Sequence, residues 1–209
     1  MRLSEEDIIL TVDAPYPARK IVRQAVEVLK AGGVIAYPTD TTYGLGCDIF
    51  NKEAIERVYR LKKMTKQKPL SFVCSDLKDI ARYAQVSNYA YQVMRKLLPG
   101  AYTFVLLATK MVPKMMLTKR KTVGIRVPNN DICLSLVAEL GHPIISTSAQ
   151  VEDEEILSNP TDIERKFGHG LDLIIDNGPL VSQPSSMIDL TSDTPVILRE
   201  GIGDTSMFR

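Results

Sequence analysis

The chain has 209 residues, a formal net charge of +1, and 44% apolar and 24% charged residues. This is ordinary globular composition, and a chain of this length can bury one sizeable core, so we predict a single domain. No run approaches the roughly 18 uncharged apolar residues of a membrane-spanning helix. The amino terminus carries acids where a secretory signal would be basic and then apolar, so we expect a cytoplasmic protein with no membrane partner.

The first half of the chain alternates helices with strands. Ile8 to Val12 is predicted as an edge strand, and apolar residues at helical spacing predict a helix from Ala18 to Ala31. Val34 to Tyr37 follows as a buried strand that Pro38 ends. Asn51 is a predicted N-cap for a helix to about Lys63. The next predicted elements are a strand at 70–74, helices at 76–83 and 87–98, and a strand at 102–108.

The second half of the chain contains more strands. Lys121 to Val127 alternates in polarity, which predicts a strand. Asn130 caps a predicted helix to Leu140, Gly141 ends it, and Pro143 to Ile145 forms a short strand. The remaining predictions are a helix at 161–167 and strands near 171–175, 186–190 and 196–199. The pattern indicates a mixed α/β sheet with some antiparallel pairing.

Hydroxyl side chains follow two of the predicted strands. Residues 39–43, TDTTY, come after the predicted strand from Val34 to Tyr37. The glycines at positions 44 and 46 then predict a tight turn or a close approach to a ligand. A second cluster, Ser146 to Ala149, follows the strand at Ile145. Open α/β sheets place their sites at such strand ends, whereas a threonine-rich turn capped by its own hydroxyls is the alternative. Arg126, among apolar neighbours, is predicted to pair with a carboxylate or to face an anionic ligand.

Several classes of site are disfavoured. Cys47, Cys74 and Cys133 are widely spaced among apolar or small residues, which favours buried structural thiols over nucleophiles. His142 and His169 are the only histidines, which excludes a histidine metal cluster and disfavours a Ser-His-Asp triad. Neither a P-loop nor a dinucleotide-binding glycine motif is present. We therefore predict no resident metal site.

Basic side chains are clustered locally. Lysines occupy positions 62, 63, 66 and 68, and residues 119–121 are Lys-Arg-Lys. A solvated face is the simpler interpretation of each cluster, and phosphate binding is the alternative. Hydroxyls, arginines and lysines at strand ends suit phosphate and carboxylate oxygens, and catalysis by positioning and charge neutralisation. The acidic stretch Glu152 to Glu155 is predicted as a mobile solvated loop in preference to a metal site.

The ordered motifs GGVIAYPTDTTYGLGCD, GIRVP, ISTSA, SSMIDL and LREG resemble the YrdC family, and KRKTVGIRVP with the ending REGIGD resembles its YciO branch. The resemblance covers roughly Ala18 to Asp204. It implies one YrdC-like domain of α/β class, with a twisted mixed parallel/antiparallel sheet, flanking helices and a basic concave surface.

The resemblance also implies a function. It implies an L-threonylcarbamoyl-AMP synthase, or a related carbamoyl-adenylate-forming nucleotidyltransferase. The substrates would be ATP with Mg²⁺, L-threonine and bicarbonate, and the product would serve the threonylcarbamoyl modification of adenosine in tRNA. A protein of the same fold that binds tRNA or double-stranded RNA, with weak or no synthase activity, is the alternative, and a paralogue with an unrelated small-molecule ligand is a third.

By resemblance, individual residues receive roles. Lys62 and Arg126 would be the catalytic charges. The threonine site would comprise Thr39, Thr41, Tyr43, Arg126, Ser146 and Ser185, and the nucleotide site Lys62, Thr122, Ser148 and Arg199. Met64 replaces the arginine of the family's KxR motif, and Gln150 replaces the asparagine of its SxN motif. Losing one charged contact costs roughly 1.5–3 kcal/mol, so weak synthase activity or a different substrate is a second expectation.

Overall fold

The computed structural model describes residues 8–12, 19–65, 68–117 and 119–209. The strands are β1 (Ile9–Thr11), β2 (Ile35–Pro38), β3 (Tyr43–Gly46), β4 (Ser71–Val73), β5 (Ala84–Gln85), β6 (Tyr102–Ala108), β7 (Thr122–Arg126), β8 (Ile144–Ser148), β9 (Leu173–Asp176), β10 (Ser186–Asp189) and β11 (Val196–Arg199). The helices are α1 (Arg19–Lys30), α2 (Lys52–Leu61), α3 (Leu77–Tyr83), α4 (Asn88–Leu97), α5 (Asp131–Leu140) and α6 (Pro160–Phe167). No helix in these ranges has the length and apolar character needed to span a bilayer.

All the strands belong to one mixed sheet, as predicted. Its order is β1-β9-β2-β3-β8-β4-β7-β6-β10-β11, with β5 paired to β6. The pairs β1–β9, β2–β9, β4–β7 and β6–β10 are parallel, and the others are antiparallel. Strand β8 joins the two halves of the sheet because it pairs with β3 on one side and with β4 on the other.

Both faces of the sheet are covered by helices over part of their area. Successive strand residues point to opposite faces, so in β2 the side chains of Ile35 and Tyr37 pack in one core and Ala36 packs in the other. Helices α1 and α5 pack on the core that contains Tyr37, which we call the first core. Helices α2, α3, α4 and α6 pack on the core that contains Ala36, which we call the second core. We call the face of the sheet that α1 and α5 cover the upper face.

Local capping signals account for where most helices begin. The side chains of the predicted N-caps each accept a hydrogen bond from a backbone N–H three residues later. These caps are Asn51, Asp76, Ser87 and Asn130. Gly141 ends α5 in the left-handed region at φ 83°. The predicted helix starts are confirmed, except that Ala18 lies outside the described residues.

The glycine-rich stretch after Tyr43 corrects one prediction. The prediction of a tight turn at Gly44 and Gly46 is wrong, because both lie within β3, which pairs antiparallel with β2. The alternative, a close approach to a ligand, stays a prediction. A β-carbon on Gly46 would lie 2.6 Å from the Tyr37 ring and 2.7 Å from the Ile145 carbonyl oxygen. These glycines therefore provide space for the Tyr37 side chain, and the chain reverses at residues 39–42 instead.

Candidate functional site

A polar cavity lies at the centre of the sheet, and we call it the hydroxyl hollow. Its volume is about 130 Å³. Serine and threonine hydroxyls make up most of its lining, together with two guanidinium groups. The lining residues are Thr39, Thr41, Thr42, Gly44, Pro69, Ser71, Thr103, Arg126, Ser146, Thr147, Ser148, Pro184, Ser185, Met187 and Arg199.

Strand alternation carries these hydroxyls onto the upper face. In β8, Ile144 packs in the core beneath α1 and α5, and Ser146 and Ser148 share its side of the strand. In β4, Val73 packs in the same core, and Ser71 shares its side. The upper face is therefore apolar where the helices cover it and becomes polar at the hydroxyl hollow.

The register aligns the lining residues across neighbouring strands. Ser71 pairs with Ser146 on one side and with Gly124 on the other. A β-carbon on Gly124 would lie 2.7 Å from the Ser71 Oγ, so a larger residue at position 124 would displace this hydroxyl. At the far end, Met187 pairs with both Thr103 and Arg199.

Arg126 forms one wall of the hydroxyl hollow. Its Nη2 donates to Asp40 Oδ1 at 2.9 Å and to Thr41 Oγ1 at 3.0 Å. Asp40 is oriented by a second hydrogen bond, because its Oδ2 accepts from the Asn129 N–H at 3.0 Å. Only 8% of Arg126 is exposed, and its Nε has no hydrogen-bond partner in the described part of the chain. A buried N–H donor without a partner costs free energy.

Arg199 lies on the same cavity, held by Ser185. Its Nε donates to the Ser185 carbonyl oxygen at 3.0 Å, and its Nη2 donates to the Ser185 Oγ at 3.2 Å. The Ser185 Oγ is also 2.8 Å from the Thr103 Oγ1. Burial lowers the pKa of Arg199, and the positive charge of Arg126 lowers it further. The two guanidinium groups therefore repel each other, and an anion between them would be stabilised.

Thr39 organises the loop that borders the hollow. Its Oγ1 accepts hydrogen bonds from the N–H groups of Thr41 and Thr42 at 3.1 Å and donates to the Thr42 carbonyl oxygen at 2.6 Å. The alternative interpretation, a turn capped by its own hydroxyls, is thus correct for Thr39. The same loop also presents Thr41 to Arg126.

Lys62 lies beside the hollow, with its side chain in the interior. The residue is 2% exposed, and its Nζ donates to the carbonyl oxygens of Ser148 at 2.5 Å and Gln150 at 2.8 Å. Burial lowers its pKa to about 8, although the charge of Glu152 acts in the opposite direction. In this conformation Lys62 holds the end of β8, and it does not line the cavity.

Tyr43 and Thr122 are also outside the lining. Tyr43 is on the opposite side of β3 from Gly44, within the second core. Its hydroxyl donates to the Gly178 carbonyl oxygen at 2.8 Å and accepts from the Asn177 N–H at 3.0 Å. Thr122 is on the same side of β7 as Arg126 but pairs with Leu107, further along the strand. The remaining predicted residues converge on the cavity, and their assigned roles stay predictions.

The two positions that depart from the family motifs are close to Lys62. Ser148 Oγ donates to the Gln150 Oε1 at 3.2 Å, so this amide folds back along the chain. Met64 packs partly buried against the core. Of the acidic stretch, Glu152 pairs with Lys68 and Glu154 pairs with Lys166 at 2.6 Å. Lysine side chains thus neutralise two of these four acids.

The lysines of the first cluster do not form one exposed patch. Lys62 is interior, Lys68 is paired with Glu152, and Lys66 lies outside the described residues. The Lys-Arg-Lys run at 119–121 is exposed, with Arg120 3.3 Å from Asp189. RNA binding by these clusters stays a prediction.

A larger cavity of about 690 Å³ lies between α3, α4 and α5, and it has a different character. Its lining is mostly apolar, including Leu77, Met94 and Leu134, and it contains none of the predicted site residues. The hydroxyl hollow is therefore the better candidate for polar chemistry.

Three polar contributors to the site were not predicted. The sequence predicts only that Asp40 lies in a loop, whereas its Oδ1 is 2.9 Å from the Arg126 Nη2 and forms an ion pair with it. Ser71 and Thr103 are each the second residue of a predicted strand, where a single hydroxyl carries no distinguishing signal. Only the register of β4 and β6 places them on the polar face.

Comparisons with known proteins agree with this fold. The Sua5/YciO/YrdC family model, described as "Telomere recombination", matches residues 27–201. The chain is 45% identical over 195 residues to an uncharacterized protein of Haemophilus influenzae, and 43% identical over 194 residues to the uncharacterized protein YciO of Escherichia coli. Each of these comparisons covers 92% of this chain and 94% of the relative.

A threonylcarbamoyl-AMP synthase and two solved structures also match this chain. The chain is 34% identical over 173 residues to a threonylcarbamoyl-AMP synthase of Mus musculus, covering 81% of this chain and 61% of that protein. The crystal structure of E. coli YciO matches with a TM-score of 0.90 at 42% identity, over 96% of this chain and 98% of that one. P. abyssi Sua5 complexed with L-threonine matches with a TM-score of 0.88 at 27% identity, over 93% of this chain and 58% of that one.

Proposed function

We propose that the hydroxyl hollow binds L-threonine and that the protein is a carbamoyl-adenylate-forming enzyme of the threonylcarbamoyl-AMP synthase type. The chain belongs to the Sua5/YciO/YrdC family, on which this proposal depends. Relatives carrying that name share 29–35% identity with this chain. The proposed product would serve the threonylcarbamoyl modification of tRNA in the cytoplasm.

The environment of Arg126 is the observation that carries this proposal. The guanidinium lines the hollow, has Asp40 and Thr41 as partners of one nitrogen, and leaves Nε unpartnered. The planar guanidinium fork matches a carboxylate. The α-carboxylate of an amino acid therefore suits this wall.

The size and polarity of the hollow favour a small hydroxylated ligand. Its volume of about 130 Å³ is below the range of roughly 300–1,000 Å³ that drug-sized ligands occupy. A single amino acid suits this space, whereas a nucleotide would extend over the open side. Thr41, Ser146 and Ser148 supply hydroxyls that can hydrogen-bond the ligand's amino and hydroxyl groups.

The proposed reaction needs positioning and charge neutralisation. The threonine amine and bicarbonate would form a carbamate and water. A carbamate oxygen would then attack the α-phosphorus of ATP, breaking its bond to the bridging oxygen and releasing pyrophosphate. Mg²⁺ would enter with ATP as part of the substrate and neutralise phosphate charge. Arg199, which ends β11 and lines the hollow, would be the cation that faces the nucleotide.

Calorimetry with L-threonine, ATP and both together tests the binding step. We expect L-threonine to bind, each ligand to increase the affinity of the other, and L-valine, which lacks the hydroxyl, to bind at least about tenfold more weakly. Arg126→Gln should weaken threonine binding roughly ten- to hundredfold, because a charged hydrogen bond is worth about 1.5–3 kcal/mol.

Pyrophosphate release tests the reaction itself. The wild-type protein should release pyrophosphate from ATP only when L-threonine and bicarbonate are both present. Arg95→Gln, at an exposed position on α4, is the matched control and should retain this release. Wild-type release no greater than that of Arg126→Gln would refute the proposed activity.

A further inference from the structure

A second cavity, which we call the basic cleft, lies between α2 and α6. Its volume is about 560 Å³, and it shares no lining residue with the hydroxyl hollow. The lining residues are Arg57, Arg60, Leu61, Lys63, Val151, Lys166, His169 and Gly170. Every ionisable residue in this lining is basic.

Carboxylates neutralise only part of this charge. Arg57 pairs with Asp172, and the Lys166 Nζ lies 2.6 Å from the Glu154 carboxylate. Within the described part of the chain, no carboxylate lies within ion-pair distance of Arg60 or Lys63. The cleft therefore carries uncompensated positive charge from Arg60 and Lys63.

Arg57 adds a guanidinium group to the wall that also carries Arg60. Its Nε is buried and has no hydrogen-bond partner among the described residues. Burial lowers the pKa of Arg57, Cys47 acts in the opposite direction, and the nearby charge of Arg60 lowers it. Two like charges at one cavity wall are stabilised by an anion placed between them.

The geometry favours a phosphate over a simple halide. Two arginines and two lysines present several donors to one space, which suits the multiple oxygens of a phosphate. The volume is within the roughly 300–1,000 Å³ of ligand sites. A β-carbon on Gly170 would lie 2.3 Å from the Leu61 side chain, so glycine lets the wall close tightly.

We propose that the basic cleft binds a phosphate group, either of a free polyphosphate or of a nucleic-acid backbone. This site is separate from the hydroxyl hollow and does not depend on the activity proposed there. Arg60 and Lys63 supply the charge that attracts the phosphate, and Arg57, held by its ion pair with Asp172, supplies a further guanidinium group on the same wall.

Two probes distinguish the sources of the phosphate: calorimetry with inorganic pyrophosphate, and fluorescence anisotropy with a short labelled RNA hairpin. Each is measured on the wild-type protein, on Arg60→Gln/Lys63→Gln, and on the control Arg95→Gln/Lys96→Gln, which removes one arginine and one lysine from an exposed part of α4. An Arg126→Gln/Arg199→Gln background removes both guanidinium groups of the hydroxyl hollow.

We expect the cleft variant to weaken binding at least about tenfold, as the loss of a charged hydrogen bond implies, and the control to remain within about twofold. Loss of pyrophosphate binding would identify a free polyphosphate, and loss of RNA binding alone would identify a backbone phosphate. Circular dichroism of the cleft variant should match the wild type. If neither probe binds the wild-type protein, or if the cleft variant binds both as well as the control, the proposal is wrong.

Discussion

Lys62 shows how one buried residue changes the meaning of a sequence cluster. Its ammonium group bonds the carbonyl oxygens of Ser148 and Gln150, and its own carbonyl oxygen accepts from the Glu152 N–H at 3.0 Å. A neutral amine still has two hydrogens, so both side-chain bonds can persist after deprotonation. Lys62 therefore holds the end of β8 in either protonation state.

The lowered pKa of Lys62 predicts a pH dependence of stability. Its native pKa of about 8 lies below the ordinary value of 10.5, so the unfolded chain binds more protons between these values. The contribution of Lys62 to the free energy of unfolding is thus fully present above about pH 10.5 and is lost as the pH falls to about 8. Relative to Lys62→Met, the wild type should gain up to about 1.4 kcal/mol per pH unit across this window.

Urea unfolding between pH 7 and pH 10.5 measures this difference. Lys96→Met, at an exposed position on α4, is the control and should differ from the wild type by a constant amount. If the difference between the wild type and Lys62→Met is also independent of pH, the buried environment assigned to Lys62 is incorrect.

Strand β3 shows why element predictions failed where glycine is frequent. Glycine has a low strand propensity and is typical of turns, so the sequence YGLG predicts part of a loop. In the fold, the Tyr37 ring lies over Gly44 and Gly46, and β3 continues the sheet between β2 and β8. Packing against an aromatic ring on the neighbouring strand therefore overrides the local preference.

Gly46→Ala tests this packing. The added methyl group would meet a ring atom at 2.6 Å and a backbone oxygen at 2.7 Å, so we expect a loss of about 1–3 kcal/mol in the free energy of unfolding. Gly168→Ala is the matched control, because its nearest neighbours are at 3.4 and 3.5 Å and its φ is −54°. Urea midpoints at constant m-value provide the comparison. Equal midpoints for the two variants would contradict the proposed role of Gly46.

At the scale of the whole molecule, the hydroxyl hollow exists only when the sheet is assembled. Its lining extends from Thr39 to Arg199 and includes residues on β3, β8, β4, β7, β6, β10 and β11. Arg126 ends β7 and Arg199 ends β11, and β6 and β10 lie between these strands, so the two guanidinium groups line one cavity only in the assembled sheet. A ligand of the hollow therefore binds the folded state and should stabilise all of these strands together.

Scanning calorimetry with L-threonine tests this coupling. The predicted single domain should unfold in one transition. A concentration of about 100 times Kd should contribute about 2.7 kcal/mol and raise Tm by roughly 5–10 °C. L-Valine at the same concentration should produce a much smaller increase. Equal shifts with the two amino acids would show that the hollow does not recognise the threonine hydroxyl.

The sequence by itself determined the features that depend on neighbouring residues: the helix caps, most strands, and the hydroxyls and arginines later found at the hollow. Capping and strand alternation are local, so a short segment suffices to predict them. Only the tertiary structure decided that Tyr43 faces the core, that Lys62 points inward, that Asp40 pairs with Arg126, and that α2 and α6 enclose a basic cleft. Each of these depends on register or packing between segments that are distant in the chain, where local preference carries no information.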